Sequence, residues 1–325
     1  MFSKFRKSPR LPREVEEVFE RAVTRLDAKP LRWKGIVLHF ERRDTHHELN
    51  AADHLEVLDN IPANTPVDGM AIYLGARLGF PLPEDLALDL RAVRSWLRPR
   101  VLHTRVLEGP ARSMCRRPAF TPVAADAPPL PPPAPDLITA VSIGAGRTAT
   151  FVTTKGLDAW GLGFEDVLSL ALDNLRALIG PDDLRGAEED GGSEGTEGVH
   201  TLSDPTLETG ASASLVLDHL LPELDPQTGA LFAVPSDAST VVLPVRPGAG
   251  AKALASLVQV VYAIAADQDA PLSETIFWHR PAQGAGAPTV IAVPMTSVQE
   301  NGARRVHLEA QGVVEDLLRV LGEID

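Results

Sequence analysis

The stretch LDPQTGALFAVPSDASTVVLPVR, residues Leu224–Arg246, decides the fold class. It opens on a turn, Asp225-Pro226-Gln227-Thr228-Gly229, followed by an apolar run from Ala230 to Val234. Residues 235–239 break that run, and a second one extends from Thr240 to Leu243. Two β-prone runs flanking a polar five-residue turn read as a hairpin. Ser236 and Asp237 then sit at a strand end, where a rigid scaffold often presents functional side chains. The competing reading is that these two side chains only close the turn by bonding to the backbone.

Outward from this hairpin, strands and helices alternate. Upstream, 137–143, a Gly144-Ala145-Gly146 turn and 147–153 read as another hairpin. A helix over 164–178 follows, with Val167, Leu168, Ala171, Leu175 and Leu178 facing inward. A short strand at 198–202 and a helix at 211–222 lead into the hairpin. Downstream come a helix at 251–266, strands at 273–279 and 288–293, and a helix at about 310–322. This order predicts an α+β fold, a mainly antiparallel sheet with helices packed on it, over 136–325. Residues 1–117 read as a mostly helical N-terminal part, with helices at 12–27, 50–60, 66–79 and 83–97 and strands at 35–41 and 100–107. Between them, 118–135 carries eight prolines, so it reads as a stiff polyproline connector. The Gly-rich acidic tract 182–198 has too few apolar residues to order itself and reads as a mobile loop.

Charge and cysteine usage narrow the function. Residues 1–120 carry 21 Lys+Arg and 16 Asp+Glu; residues 121–325 carry 10 and 28. The acidic half repels phosphate backbones, so no nucleic-acid partner is expected. The basic N-terminal cluster Lys4, Arg6, Lys7, Arg10 and Arg13 reads as a solvated terminus. One cysteine, Cys115, leaves no disulfide framework and fits a cytoplasmic protein. Neither an apolar leader segment nor a membrane span is expected.

No strong catalytic motif is present. Gly144-Ala145-Gly146 follows a strand, but a β-prone run stands where a dinucleotide loop needs a helix. Gly248-Ala249-Gly250-Ala251-Lys252 precedes a helix and could hold an anion with help from Lys252, although it lacks the Walker pattern and reads first as an ordinary strand-to-helix loop. His39, His46, His47 and His54 crowd one region, yet His47-Glu48 lacks the second histidine of a zinc helix. The expectation there is a polar loop capped by Asn50 or Asp53, with no metal. Ser236, Asp237, His279 and Arg280 are the polar residues at strand ends that could meet across a sheet.

The runs Asp136–Val152, Ala171-Leu172-Asp173-Asn174-Leu175-Arg176 and Gly229–Asp237 together resemble the YtpQ-like bacterial family, a domain of unknown function. In that family a strand pair precedes a helix with an A-x-x-N-L motif, matched by Ala171, Asn174 and Leu175. A later strand ends in V-P-S-R-D, matched by Val234, Pro235 and Ser236, whereas Asp237 stands where the family has Arg. The resemblance covers about 100–295 and implies no activity or cofactor. Asn174, on an otherwise apolar helix, reads as a structural pin. The functional expectation is a non-enzymatic binding or scaffold module that contacts another protein or a small ligand, with no catalytic residue or cofactor assigned. Asn174, Ser236, Asp237, His279 and Arg280 are its candidate contact residues. The alternative is a hydrolase using the polar strand-end residues.

Overall fold

A computed structural model describes residues 10–61, 63–107, 114–119, 137–144, 149–186, 198–204, 209–248, 250–281, 289–300, 303–308 and 312–324. In chain order the elements are α1 (Arg13–Arg25), β1 (Lys29–Lys34), β2 (Val37–Arg42), β3 (Thr45–Asn50), α2 (Leu55–Asn60), α3 (Pro66–Leu78), α4 (Glu84–Ala87), α5 (Leu90–Val93) and β4 (Leu97–His103). Then come β5 (Arg116–Pro118), β6 (Leu137–Ile143), β7 (Thr150–Phe151), α6 (Thr154–Trp160), α7 (Phe164–Arg176), β8 (Arg185–Gly186) and β9 (His200–Ser203). The remainder is α8 (Leu217–Leu220), β10 (Ala230–Ser236), β11 (Ser239–Pro244), α9 (Gly250–Ala266), β12 (Phe277–Arg280), β13 (Thr289–Ala292), β14 (Met295–Glu300), β15 (Ala303–Leu308) and α10 (Val313–Leu321).

Contacts divide the chain into two units, Met1–Leu97 with Ser142–Gly163, and Arg98–Val141 with Phe164–Asp325. Each unit is therefore built from two segments, and the divisions do not coincide with the expected borders at 117 and 136. Composition marks a connector, but tertiary contacts decide which segments share a core. Residues 120–135 of the Pro-rich stretch lie outside the described residues, as do Lys4, Arg6 and Lys7.

The first unit is not mostly helical. β1, β2 and β3 form an antiparallel sheet, of which only the middle strand was legible in the sequence. The second hairpin turns through Arg43 and Asp44, both at positive φ (49° and 61°). Such turns are normally signalled by Asn-Gly or Asp-Gly, so the sequence carried no turn marker here. The expected helix at 83–97 is broken into α4, α5 and a 3-10 turn. Asp89 caps α5 by accepting the Arg91 backbone N–H at 3.0 Å, which starts a new helix after α4 ends. α1 and α3 fall within their expected spans. Phe19, Ala22 and Val23 bury the inner face of α1, and Arg25 on its last turn binds Asp68 and Asp85.

The second unit is built on a six-stranded antiparallel sheet of order β13-β12-β10-β11-β9-β8. Helices cover both faces. Ala230, Phe232, Val234, Val242 and Phe277 face Leu175 of α7 and Val216, Leu217 and Leu220 around α8. Leu231, Ala233, Val241, Leu243 and Trp278 face Leu254, Leu257 and Val261 of α9 and Val314, Leu317 and Leu321 of α10. Burial on both faces is why β10 reads as a continuous apolar run and not as an alternation. The hairpin is tighter than expected, because the strands extend to Ser236 and from Ser239. Pro235 survives in a central strand because the β10–β11 register shifts between Ala233 and Ser236. A residue without an N–H is tolerated at such an irregularity.

β6 pairs with β7 through Ser142–Phe151 and Ile143–Thr150, so the Gly144 loop returns to a strand; its residues 145–148 lie outside the described set. α7 stops at Arg176, which leaves Leu178 47% exposed and not inward-facing. The start of the acidic tract is ordered: 181–183 make a 3-10 turn and Arg185–Gly186 pair with β9, while 187–197 lie outside the described residues. No helix among the described residues is long and apolar enough to cross a membrane.

Candidate functional site

The residues singled out in the sequence do not converge. β10 and β12 run antiparallel with Ala230 opposite His279. Ser236 lies six residues further along β10, roughly 20 Å away at strand rise. The two therefore sit at opposite ends of the strand, and no Ser–His pair forms. Ser236 is buried, and its hydroxyl shares a 2.7 Å hydrogen bond with that of Ser239. The turn is thus closed hydroxyl to hydroxyl.

Asp237 faces charge. Arg100, on β4, is 7% exposed; burial pulls its pKa below the ordinary value, and the carboxylates of Asp237 and Asp204 oppose that pull. The Asp237 carbonyl accepts the Ala211 N–H, and the Ala238 carbonyl accepts the Asp204 N–H at 2.8 Å. A Cβ on Gly210 would come within 2.5 Å of the Ala238 backbone, so this small residue lets the 211–216 turn press against the hairpin. The turn is a packed junction, half-buried at Asp237 and Ala238 between the buried Ser236 and Ser239. Arg100 escaped notice in the sequence, because Leu97–Leu102 reads Leu-Arg-Pro-Arg-Val-Leu and two arginines there do not suggest a buried strand.

His279 is buried, and its Nε2 lies 2.7 Å from Asp218 Oδ1, joining β12 to α8. Arg280 lies over the Trp278 ring at 5.1 Å. Asn174 is half-buried on α7, between buried Ala171 and Leu175. The hydrogen bond from His279, and then the nearby Arg176, hold the Asp218 carboxyl below its usual range, against the opposing effect of burial. A depressed folded-state pKa contributes stability above the unfolded value and loses it as pH falls through the folded one. The stability gap between wild type and Asp218→Asn should therefore be full at pH 7 and close as pH falls below about 3.9. Because the Asp218 side chain is 54% exposed, solvent screening keeps the gap under about 1 kcal/mol. Urea midpoints across pH measure this, and a pH-independent gap would contradict it.

The histidines of 39–54 make separate contacts. His39 Nδ1 lies 3.2 Å from Glu48, His47 stacks on Phe40, and His54 Nδ1 meets the Tyr73 hydroxyl at 3.1 Å. Residues 45–50 form β3 where a loop was expected, and the Asn50 side chain accepts the Ala52 N–H as the expected cap. Among the described residues no group of three His, Cys, Asp or Glu is placed to hold a metal.

One cavity gathers cations. It measures about 280 Å3 and lies within the second unit, where β9, the end of β11, the first turns of α9 and the end of α10 meet. His200, Arg246, Lys252 and Ser256 supply its polar lining, and among the described residues no carboxylate lines it. Arg246 and Lys252 are exposed, and neither forms an ion pair among the described residues. Gathering positive side chains in one concavity costs repulsion that an anion relieves. Lys252 belongs to the Gly248–Lys252 loop, so the secondary reading of that loop has a cavity behind it. His200 and Arg246 were missed because strand pairing, not spacing, brings them there.

No family model, curated protein or solved structure matches this chain. The geometry must therefore carry the functional reading alone. A wider cleft of about 450 Å3 in the first unit, between α1 and the start of α3, is a weaker candidate. Its Arg25 is already shared by Asp68 and Asp85, and the Asp68 carboxylate lines the cleft.

Proposed function

We propose that this protein is a non-enzymatic binding module whose second unit holds a small anionic ligand. The observation that supports this is the convergence of His200, Arg246 and Lys252 on one cavity that no carboxylate lines among the described residues, in a half of the chain that is otherwise strongly acidic. Cations concentrated against a low-dielectric wall attract anions in proportion to their number, and salt weakens the attraction. The resemblance to the YtpQ-like family adds no activity to this reading. A single cysteine supports a reducing compartment, the cytoplasm. The hydrolase alternative has no comparable support, since Ser236 and His279 stand at opposite ends of β10.

Isothermal titration of the full chain with inorganic phosphate tests the proposal. Binding should be measurable at low ionic strength and weaken as salt rises. The Arg246→Ala/Lys252→Ala variant should bind at least about tenfold more weakly, the equivalent of roughly 1.4 kcal/mol. Both side chains are exposed, so the variant should keep the wild-type circular dichroism spectrum. Equal affinity in the two proteins, or no binding to either, would overturn the reading.

A further inference from the structure

The hydrocarbon that bounds the cavity of the second unit has no surface left to offer a ligand. Leu243, Val245 and Leu321 line it at 4%, 5% and 1% exposure, already covered by the sheet, α9 and α10. A ligand therefore gains its binding from charge, and the body attached to that charge is not read. Among the described residues the permanent charges of the lining are Arg246 and Lys252. Arg246 follows β11 and Lys252 stands on the first turn of α9, so the two reach the cavity from different elements, and both are exposed. The end of α10 is the negative pole of a helix, but its last carbonyls are occupied. Val320 O accepts the Gly248 N–H at 3.1 Å, and Leu318 O and Arg319 O accept from Glu323 and Gly322. The Ser256 hydroxyl donates to Lys252 O at 3.0 Å.

From this arrangement we infer that the anion is a diphosphate group, free or as the end of a larger molecule. This rests on the anion-binding reading above. Size is the first reason. About 280 Å3 is roughly nine times the ~30 Å3 that one water molecule occupies in the liquid. A diphosphate has nine non-hydrogen atoms, whereas inorganic phosphate has five and leaves much of the space to water. Charge is the second reason. Two cations in one concavity repel, and exposed flexible side chains settle apart. A single phosphoryl group must draw them together, whereas two bridged phosphoryl groups take one each. The Arg246 fork matches a pair of oxygens on one group, and the Lys252 ammonium acts as a point charge on the other. Once one phosphoryl group is held, the second binds as part of the same molecule. Solvent screening of the two exposed side chains keeps the gain to about tenfold, below the roughly 10²–10⁴ of well-linked sites.

Titration of the full chain at constant ionic strength, without divalent cations, with inorganic phosphate, diphosphate, triphosphate and ADP tests this. Diphosphate should bind about tenfold more tightly than phosphate. Triphosphate carries more charge, but its third phosphoryl group falls outside a filled cavity, so it should bind within about threefold of diphosphate. ADP within about threefold of diphosphate assigns the site to the end of a larger molecule, and ADP weaker by about tenfold or more assigns it to the free ion. Arg246→Ala and Lys252→Ala each leave one cation, so each should cut the diphosphate advantage to less than about threefold and keep the wild-type circular dichroism spectrum. Diphosphate binding no tighter than phosphate refutes the inference and leaves anion binding standing. A further gain of about tenfold for triphosphate also refutes it, because the site would then read charge alone. If none of the four binds, both readings fall. The ligand comparison on the wild-type chain decides the matter even if a variant does not fold.

Discussion

Gly229→Ala is expected to destabilise the second unit by about 3 kcal/mol, lowering its thermal midpoint by several degrees. Gly229 sits where the 225–229 turn enters β10, at φ +65°. A left-handed backbone costs an L-residue roughly 1–2 kcal/mol. A Cβ there would also fall 2.0 Å from the His279 carbonyl oxygen, which is backbone and has no flexible end to move aside. Overpacking of this kind adds roughly 1–3 kcal/mol. The neighbouring bonds leave little freedom: Gly229 N–H donates to Asp225 O at 2.8 Å, Val245 N–H donates to Gly229 O at 2.9 Å, and Trp278 Nε1 donates to Thr228 O at 2.7 Å. Pushing β12 away would loosen Trp278 and the His279–Asp218 contact together. Differential scanning calorimetry of the variant measures the effect, and a midpoint within about 1 °C of wild type would refute it.

Asp237→Ala is expected to cost about 2 kcal/mol, less than removing a partner from a fully buried ion pair, because the Asp237 side chain that acts on the buried Arg100 is itself only half-buried. Arg100 stays buried, and Asp204 still opposes the effect of its burial, which limits the loss further. The Asp237 carbonyl accepts from Ala211 N–H whatever the side chain, so the turn itself survives. Asp237→Asn keeps the shape and should lose nearly as much, because the missing element is charge. Ser236→Ala removes one hydroxyl pair and should cost only about 1 kcal/mol. Arg100→Met combined with Asp237→Ala should cost less than the two single changes added together, since they share one interaction. Urea unfolding of the set measures this. Equal midpoints for Asp237→Ala and Ser236→Ala would show that Asp237 does not balance Arg100.

These two positions show how sequence and structure divide the explanation. The 224–246 stretch was legible because the determinants of a hairpin are local: turn residues at one end, β-branched and apolar runs, then a polar break. Its exact turn was not, because Pro235 and Ser236 read as loop until the register shift lets them stay in β10. α1, α3, α7 and α9 were legible from helical periodicity, and the α+β class follows from their alternation with the strands. β1 and β3 were not, because their residues are largely charged or half-exposed and their turns use Gly35-Ile36 and Arg43-Asp44. Ser236, Asp237 and His279 were correctly placed at strand ends, but strand direction put them at different ends. A one-dimensional pattern fixes which residues face a core, whereas meeting requires a register.

By itself the sequence determined the class of fold, the central hairpin, the main helices and the charge asymmetry, all of which depend on nearest neighbours or on composition. Only the tertiary structure decided that Asp237 answers a buried arginine more than a hundred positions earlier, and that His200, Arg246 and Lys252 share one cavity with Leu321. The reason is physical. Strand pairing, helix docking and the burial that strengthens electrostatic interactions arise between segments distant in the chain, and no local spacing encodes which of them will touch.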